Sequence, residues 1–287
     1  MTGVLAQIGS FFNMVLGTNV AHAATEAAEH GAEGAAEHAP GIHVVLKAEE
    51  VFSLWGFPIT NSLIMTVMTT AVLIAFAFAV RNKLAMIPGK LQAGVEMLFE
   101  GVLNYMTETL ESEKLARRFF PLIMTVFLFV LVANELAFLP GVGSILVEHL
   151  GVDVPLLRAP SADLNMTLAL AIIAFMVIEI AGIAALGFFK YAGRYVNFSS
   201  PVNFAVGLIE LISNTGRLIS FSFRLFGNIF AGEVMIAVAI FFVAYLVPVP
   251  LMAFEVFVGF IQAVVFAMLI LFFIKLSVME PHGDEAH

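Results

Sequence analysis

Seven ionisable residues stand in or beside long apolar stretches of this chain: Glu135, Glu179, Glu210, Arg217, Arg224, Glu233 and Glu255. At the centre of a membrane span each would cost about 2.5–3.5 kcal/mol, and less near its ends. Together they imply on the order of 10–20 kcal/mol, which only a use for them justifies. The residue types suit proton transfer. A carboxyl drawn out of water exchanges its charge for a proton far more readily than one in solution, so Glu210, Glu233 and Glu255 are candidates to load and unload protons. A guanidinium stays protonated, which leaves Arg224 the role of a fixed positive charge that attracts a carboxylate and repels a passing proton. Asn228 and Gln262 can hydrogen-bond, hold water or orient the arginine.

Helical geometry sorts these residues. At about 100° per residue, Glu210, Ser213, Arg217, Arg224 and Asn228 fall within about 60° of one another and form one polar stripe. Glu233 lies nine residues beyond Arg224, about 180° around and about 13.5 Å along a helix. Glu255 and Gln262 are seven apart and share a face. The pattern predicts two polar paths that end near Arg224 from opposite sides. The remaining charges have plainer readings. Arg217 is either a relay member or an ion-pair partner of Glu210 or Glu179, Glu179 reads as a helix-packing polar group, and Glu135 reaches the membrane interface. His149 reads as a solvated loop residue.

The elements that position these residues follow from composition. Of 287 residues 61% are hydrophobic and 12% charged, with a mean hydropathy of +0.99; a soluble domain carries about 25% charged residues. An all-α polytopic membrane protein is expected, with about five transmembrane helices. The expected spans are Ile59–Val80, Phe119–Leu139, Leu164–Phe189, a very long stretch from Pro201 to Val247, and Leu251–Leu276. As one helix, the long stretch would measure about 70 Å, so it must tilt strongly, lie partly along the membrane, or break into a hairpin. Lys90–Arg118 carries apolar residues at helical spacing among glutamates and is expected to be an amphipathic surface helix. Pro140–Asp163 is expected to be a loop.

Arg81, Lys83, Lys90, Lys114, Arg117, Arg118, Lys190, Arg194 and Lys275 fall on one side of such a bundle, and Lys47 and Arg158 on the other. The positive-inside rule then predicts a periplasmic N-terminus and a cytoplasmic C-terminus. Residues 1–50 form an external tail whose Ala24–Pro40 run of Ala, Glu, His and Gly cannot bury a core. Residues 51–280 form the transmembrane domain, and 281–287 a cytoplasmic tail. Ala21-His22-Ala23 resembles a signal-peptidase site, but no Lys or Arg precedes it, so the tail is expected to be retained.

Several function classes are excluded. There is no cysteine and no basic stripe, so thiolate chemistry and nucleic-acid binding are not expected. No G-x-x-x-x-G-K-[ST] string is present, so nucleotide catalysis is not expected in this chain. An intramembrane protease would need a His or Asp deep in a span, and a secondary transporter would show internal repeats; neither is visible. No cofactor or metal is expected.

The run Ser222-Phe223-Arg224-Leu225-Phe226-Gly227-Asn228-Ile229-Phe230-Ala231-Gly232-Glu233 resembles the signature of subunit a of F-type ATP synthases. Gln262-Ala263, Pro88-Gly89-Lys90 and Pro160-Ser161-Ala162-Asp163-Leu164-Asn165 extend the resemblance over roughly Val51–Glu280. The resemblance implies a proton-conducting stator of a rotary ATP synthase in a bacterial inner membrane. Two long tilted helices would lie against a rotating c-ring, with b-type peripheral stalk subunits, the lipid bilayer and, indirectly, the soluble F1 sector as further partners. It assigns Arg224 to the essential arginine between two half-channels and Gln262 to the glutamine beside it. Asn228 and Glu233 match the external half-channel, Ser161, Asp163 and Asn165 its entrance, and Glu210 and Ser213 the cytoplasmic half-channel. Glu255 stands where many relatives carry a histidine, so that Glu233 and Glu255 would share a proton with coupled titration.

Overall fold

Inside a bilayer the backbone must satisfy its own polar groups, so apolar stretches of this length fold as helices. A computed structural model describes residues 48–54, 57–82, 84–138, 142, 145–149, 152–195, 201–243 and 246–278, all of them within the unit Val44–His287. The Ala24–Pro40 run, the Ala21-His22-Ala23 site and the 281–287 tail lie outside the described residues.

The described residues form seven helices. They are α1 (Asn61–Arg81), α2 (Lys90–Leu110), α3 (Glu113–Leu136), α4 (Leu164–Leu186), α5 (Phe188–Tyr195), α6 (Pro201–Phe242) and α7 (Pro248–Val278). Five of them, α1, α3, α4, α6 and α7, are long and apolar enough to cross a membrane. The long stretch does not break into a hairpin: α6 is one continuous helix of 42 residues, about 63 Å at 1.5 Å per residue.

Three expectations are corrected, each for a local reason. The amphipathic segment is not one helix over Lys90–Arg118, because Glu111 adopts a left-handed φ of 53° and ends α2. Ser112 then accepts a hydrogen bond from the Leu115 amide and starts α3, an ordinary N-cap. Lys114, Arg117 and Arg118 therefore belong to the first turns of a spanning helix. The third span stops at Leu186 because Gly187, with φ +83°, takes a backbone conformation that other residues avoid.

The third correction concerns strands. A hairpin of β1 (Glu50–Leu54) with β2 (Phe57–Thr60) precedes α1. The expected loop between α3 and α4 contains a second, β3 (Leu146–His149) with β4 (Val152–Pro155), also antiparallel. The hairpins contact each other through β1 and β3. Both sit at the end of the bundle that holds the 3-10 turn Pro160–Ala162, called here the loop end. The opposite end carries Arg81, Lys190 and Lys275 and is called the basic end.

Lipid offers apolar side chains as good an environment as a neighbouring helix does, so close packing and polar ties must hold such a bundle together. The most extensive associations join α3 to α7 and α4 to α6, followed equally by α2 to α3 and α4 to α7. On α4 the buried stripe Ala171, Ala174, Ile178 and Ala181 is mostly small, letting α6 and α7 approach closely. Phe221 and Leu225 of α6 meet Phe266 and Ile270 of α7 in the same core.

Candidate functional site

Along α6 the buried residues Asn214, Phe221, Leu225 and Ile229 mark the side facing the bundle. The polar stripe runs beside that side rather than within it. Ser213 and Arg224 are exposed, Asn228 is exposed as well, and Glu210 and Arg217 are half-buried. Among the described residues Arg224 makes neither an ion pair nor a hydrogen bond, whereas Arg217 packs its guanidinium over the Phe273 ring at 4.8 Å. That cation–π contact gives Arg217 a packing partner on α7 that neither reading of the sequence named. Asn228 Nδ2 donates to Gln262 Oε1 at 2.8 Å, so the turn of α6 after Arg224 is joined to α7. Gln262 is only 4% exposed and its Nε2 has no partner among the described residues.

At the loop end the two glutamates stand in different surroundings. Arg158, from the segment before the 3-10 turn, meets the Glu233 carboxylate at 3.4 Å. Glu255, on the buried face of α7, presses its carboxyl against Gly232, where any Cβ would overlap it. A side chain at position 232 would have to push that carboxyl, the movable end of a flexible side chain, aside. One Glu255 oxygen has no hydrogen-bond partner among the described residues. The ion pair from the loop gives Glu233 a partner beyond the Glu255 foreseen from sequence.

The entrance residues serve as ties between elements. Ser161 Oγ donates to Asn134 Oδ1 at 2.7 Å, and Asn134 Nδ2 donates to the Gly259 carbonyl at 3.2 Å, linking loop, α3 and α7. Asp163 accepts from Ser62 Oγ of α1 at 2.6 Å and, as the N-cap of α4, from the Asn165 amide at 3.0 Å. Asn165 itself is exposed. Glu135 lines a largely apolar groove of about 620 Å³ between α3 and α7.

At the basic end Glu179 is more than a polar spot in a packing face. It accepts from Tyr191 Oη at 3.0 Å and from Tyr195 Oη at 3.4 Å, and Asn214 Nδ2 donates to Tyr195 Oη. Lys275 Nζ meets Glu111 Oε1 at 2.8 Å. This hydrogen bond and the lysine charge hold the Glu111 carboxyl below its ordinary range.

Sequence reasoning singled out the glutamates, Arg224, Asn228 and Gln262, but it missed Arg158 as a partner of Glu233 and the two tyrosines as partners of Glu179. Arg158 was counted only as a sided charge. The spacing of Tyr191 and Tyr195, four apart in a chain with only 4 tyrosines, was a usable signal, since i and i+4 share a helix face.

Comparison with known proteins agrees with this architecture. The family model for the ATP synthase A chain matches residues 63–275. ATP synthase subunit a of Desulforamulus reducens is 34% identical over 282 residues, covering 90% of this chain and 98% of that protein. ATP synthase subunit a of Campylobacter concisus is 33% identical over 201 residues, covering 69% of this chain and 81% of that one. The bundle of five span-length helices, the arginine on its longest helix and a match of this extent place the chain in the ATP synthase A chain family, as a non-catalytic, proton-conducting membrane subunit of an F-type ATP synthase.

Proposed function

We propose that this stator subunit forms two offset half-channels separated by Arg224, which load and unload the carboxylates of a c-ring turning against α6 and α7. The carrying observation is Arg224 itself. It sits exposed on a span-length helix with no counter-charge among the described residues. An uncompensated cation at that depth is costly, and a carboxylate on another chain would relieve it. Each arriving ring carboxylate would meet this fixed charge, give up its proton on one side, and be reprotonated after leaving on the other. The guanidinium does not release its own proton, so it closes the direct route between the two sides.

In this reading protons enter through the loop end, past Ser161, Asp163 and Asn165 to Glu233 and Glu255, and leave along Glu210 and Ser213. Asn228 and Gln262 hold the position of the α6 turn that presents Arg224. Positive-inside counting makes the basic end cytoplasmic, with the N-terminus periplasmic in a bacterial inner membrane. The α2 surface helix and the exposed faces of α1 would meet peripheral stalk subunits. ATP chemistry stays on the soluble partners.

The test uses inverted vesicles carrying the assembled complex. Arg224→Ala and Arg224→Lys should each abolish ATP-driven acidification, while passive proton leak after removal of the soluble head is retained or raised. Normal pumping in both variants would overturn the reading and make Arg224 structural.

A further inference from the structure

Four helices meet at the basic end around a polar cluster more elaborate than helix packing demands. Glu179 comes from α4, Tyr191 and Tyr195 from α5, Asn214 and Arg217 from α6, and Ser277 from α7. Ser277 Oγ closes one side by donating to the Ile178 carbonyl at 2.8 Å. The cluster lines a cavity of about 10 Å³, about the room one water molecule needs. Asn214 is 6% exposed, and its Oδ1 has no hydrogen-bond partner among the described residues. A buried amide end without a partner is costly, and a polar cavity beside it is where a water would bind.

The ionisable groups lining this cavity divide cleanly by role. The guanidinium of Arg217 does not give up its proton. Burial pushes the Tyr191 phenol above its ordinary range, keeping it a donor, and Tyr195 belongs to the same hydrogen-bonded pair at 3.2 Å. Glu179 is left as the lining group with the chemistry to take up and release a proton.

We propose that this chamber is a proton station on the basic side of the membrane, in which a water bound to Asn214 hands protons to Glu179. The proposal rests on the half-channel reading above and adds to it a residue which that reading did not assign. A proton arriving on the chamber water moves to a Glu179 carboxylate oxygen: one O–H bond forms on the glutamate as one breaks on the hydronium. Release to bulk water at the surface regenerates the carboxylate, and no electrons are transferred. The tyrosine hydroxyls hold the carboxylate in place through the cycle.

The test compares Glu179→Gln and Glu179→Asp in the assembled complex. Glutamine keeps an oxygen for the tyrosines but cannot take up the proton, whereas aspartate can. Glu179→Gln should lower passive proton conductance of head-stripped vesicles by about tenfold or more, with Glu179→Asp recovering part of it. Wild-type conductance in Glu179→Gln would overturn the proposal and leave Glu179 a packing group. Should Glu179→Gln fail to assemble, Asn214→Cys decides the matter, because the chain has no native cysteine. In a complex without other reactive thiols, silver ion added from the basic side should block conductance of that variant. Conductance of Asn214→Cys untouched by silver would mean a dry cluster and would equally overturn the proposal. Arg224→Ala, run in parallel, separates the two ideas: if it alone loses pumping, only the proton station fails.

Discussion

At the loop end, Arg158 and Glu233 form an ion pair whose side chains are 11% and 31% exposed; at the basic end, Lys275 and Glu111 pair at 22% and 71%. The first lies deep among α6 and the loop segment, and the second rides on the surface between α7 and the α2–α3 break. Attraction between charges grows as water withdraws, but so does the cost of losing one partner. The loop end therefore depends on its charged ties, whereas the basic end holds Glu179 with neutral hydroxyls and leaves its lysine pair to solvent. The same side chain is thus placed in two unlike settings on either side of Arg224.

Three substitutions probe that contrast. The largest effect is predicted for Gly232→Ala, whose methyl would force the Glu255 carboxyl aside and destabilise the subunit by up to about 2 kcal/mol, the overpacking cost less the helix propensity that alanine gains. Thermal unfolding of the purified complex measures it, and the double variant Gly232→Ala/Glu255→Ala should recover much of the loss. No recovery would mean that the crowding lies elsewhere.

Next comes Arg158→Ala. Removing one partner of a fully buried pair costs about 3–5 kcal/mol, and the partial exposure of Glu233 reduces the expected loss to about 1–2 kcal/mol. Lys275→Met should be smallest, lowering the melting midpoint at neutral pH by less than Arg158→Ala does. If the Arg158 and Lys275 variants melt alike, the contrast between the ends is wrong.

The Lys275–Glu111 pair carries a pH signature of known sign. The folded-state carboxyl titrates below its ordinary value of 4.5 because Lys275 bonds it. Whatever the pair contributes is therefore fully present above about pH 4.5 and lost as pH falls through the lower folded value. Melts taken from pH 7 downward should show Lys275→Met converging on wild type in acid.

Much of the fold was legible because hydropathy reports directly on membrane residence. All five spans lie where runs of apolar residues lie, and the 3.6-residue period placed Glu210, Arg224 and Asn228 on one stripe. The hairpins were hidden for a physical reason. Strands of four or five residues, one holding Pro58, carry too few positions for a period-2 signal to rise above chance. The break at Glu111 was hidden as well, since a non-glycine residue in the left-handed region is uncommon. At the candidate site the residue types announced themselves by being charged where charge is costly. Their partners did not: Arg158 reaches Glu233 across 75 residues, a proximity created by the loop's return over the bundle that no local pattern encodes.

The unbroken course of α6 has a mechanical consequence. A rod of 42 residues is fastened by Asn214 to Tyr195 on one side of Arg224 and by Glu233 to Arg158 on the other. The two fastenings lie ten residues before and nine residues after the arginine, about 15 Å and 13.5 Å along the axis. Arg224 is therefore carried at mid-span of a beam supported at both ends, not on the free tip of a cantilever. A sideways thrust from a passing neighbour would be shared by these two supports and the Asn228–Gln262 tie between them, and the charge would yield least where holding still matters most.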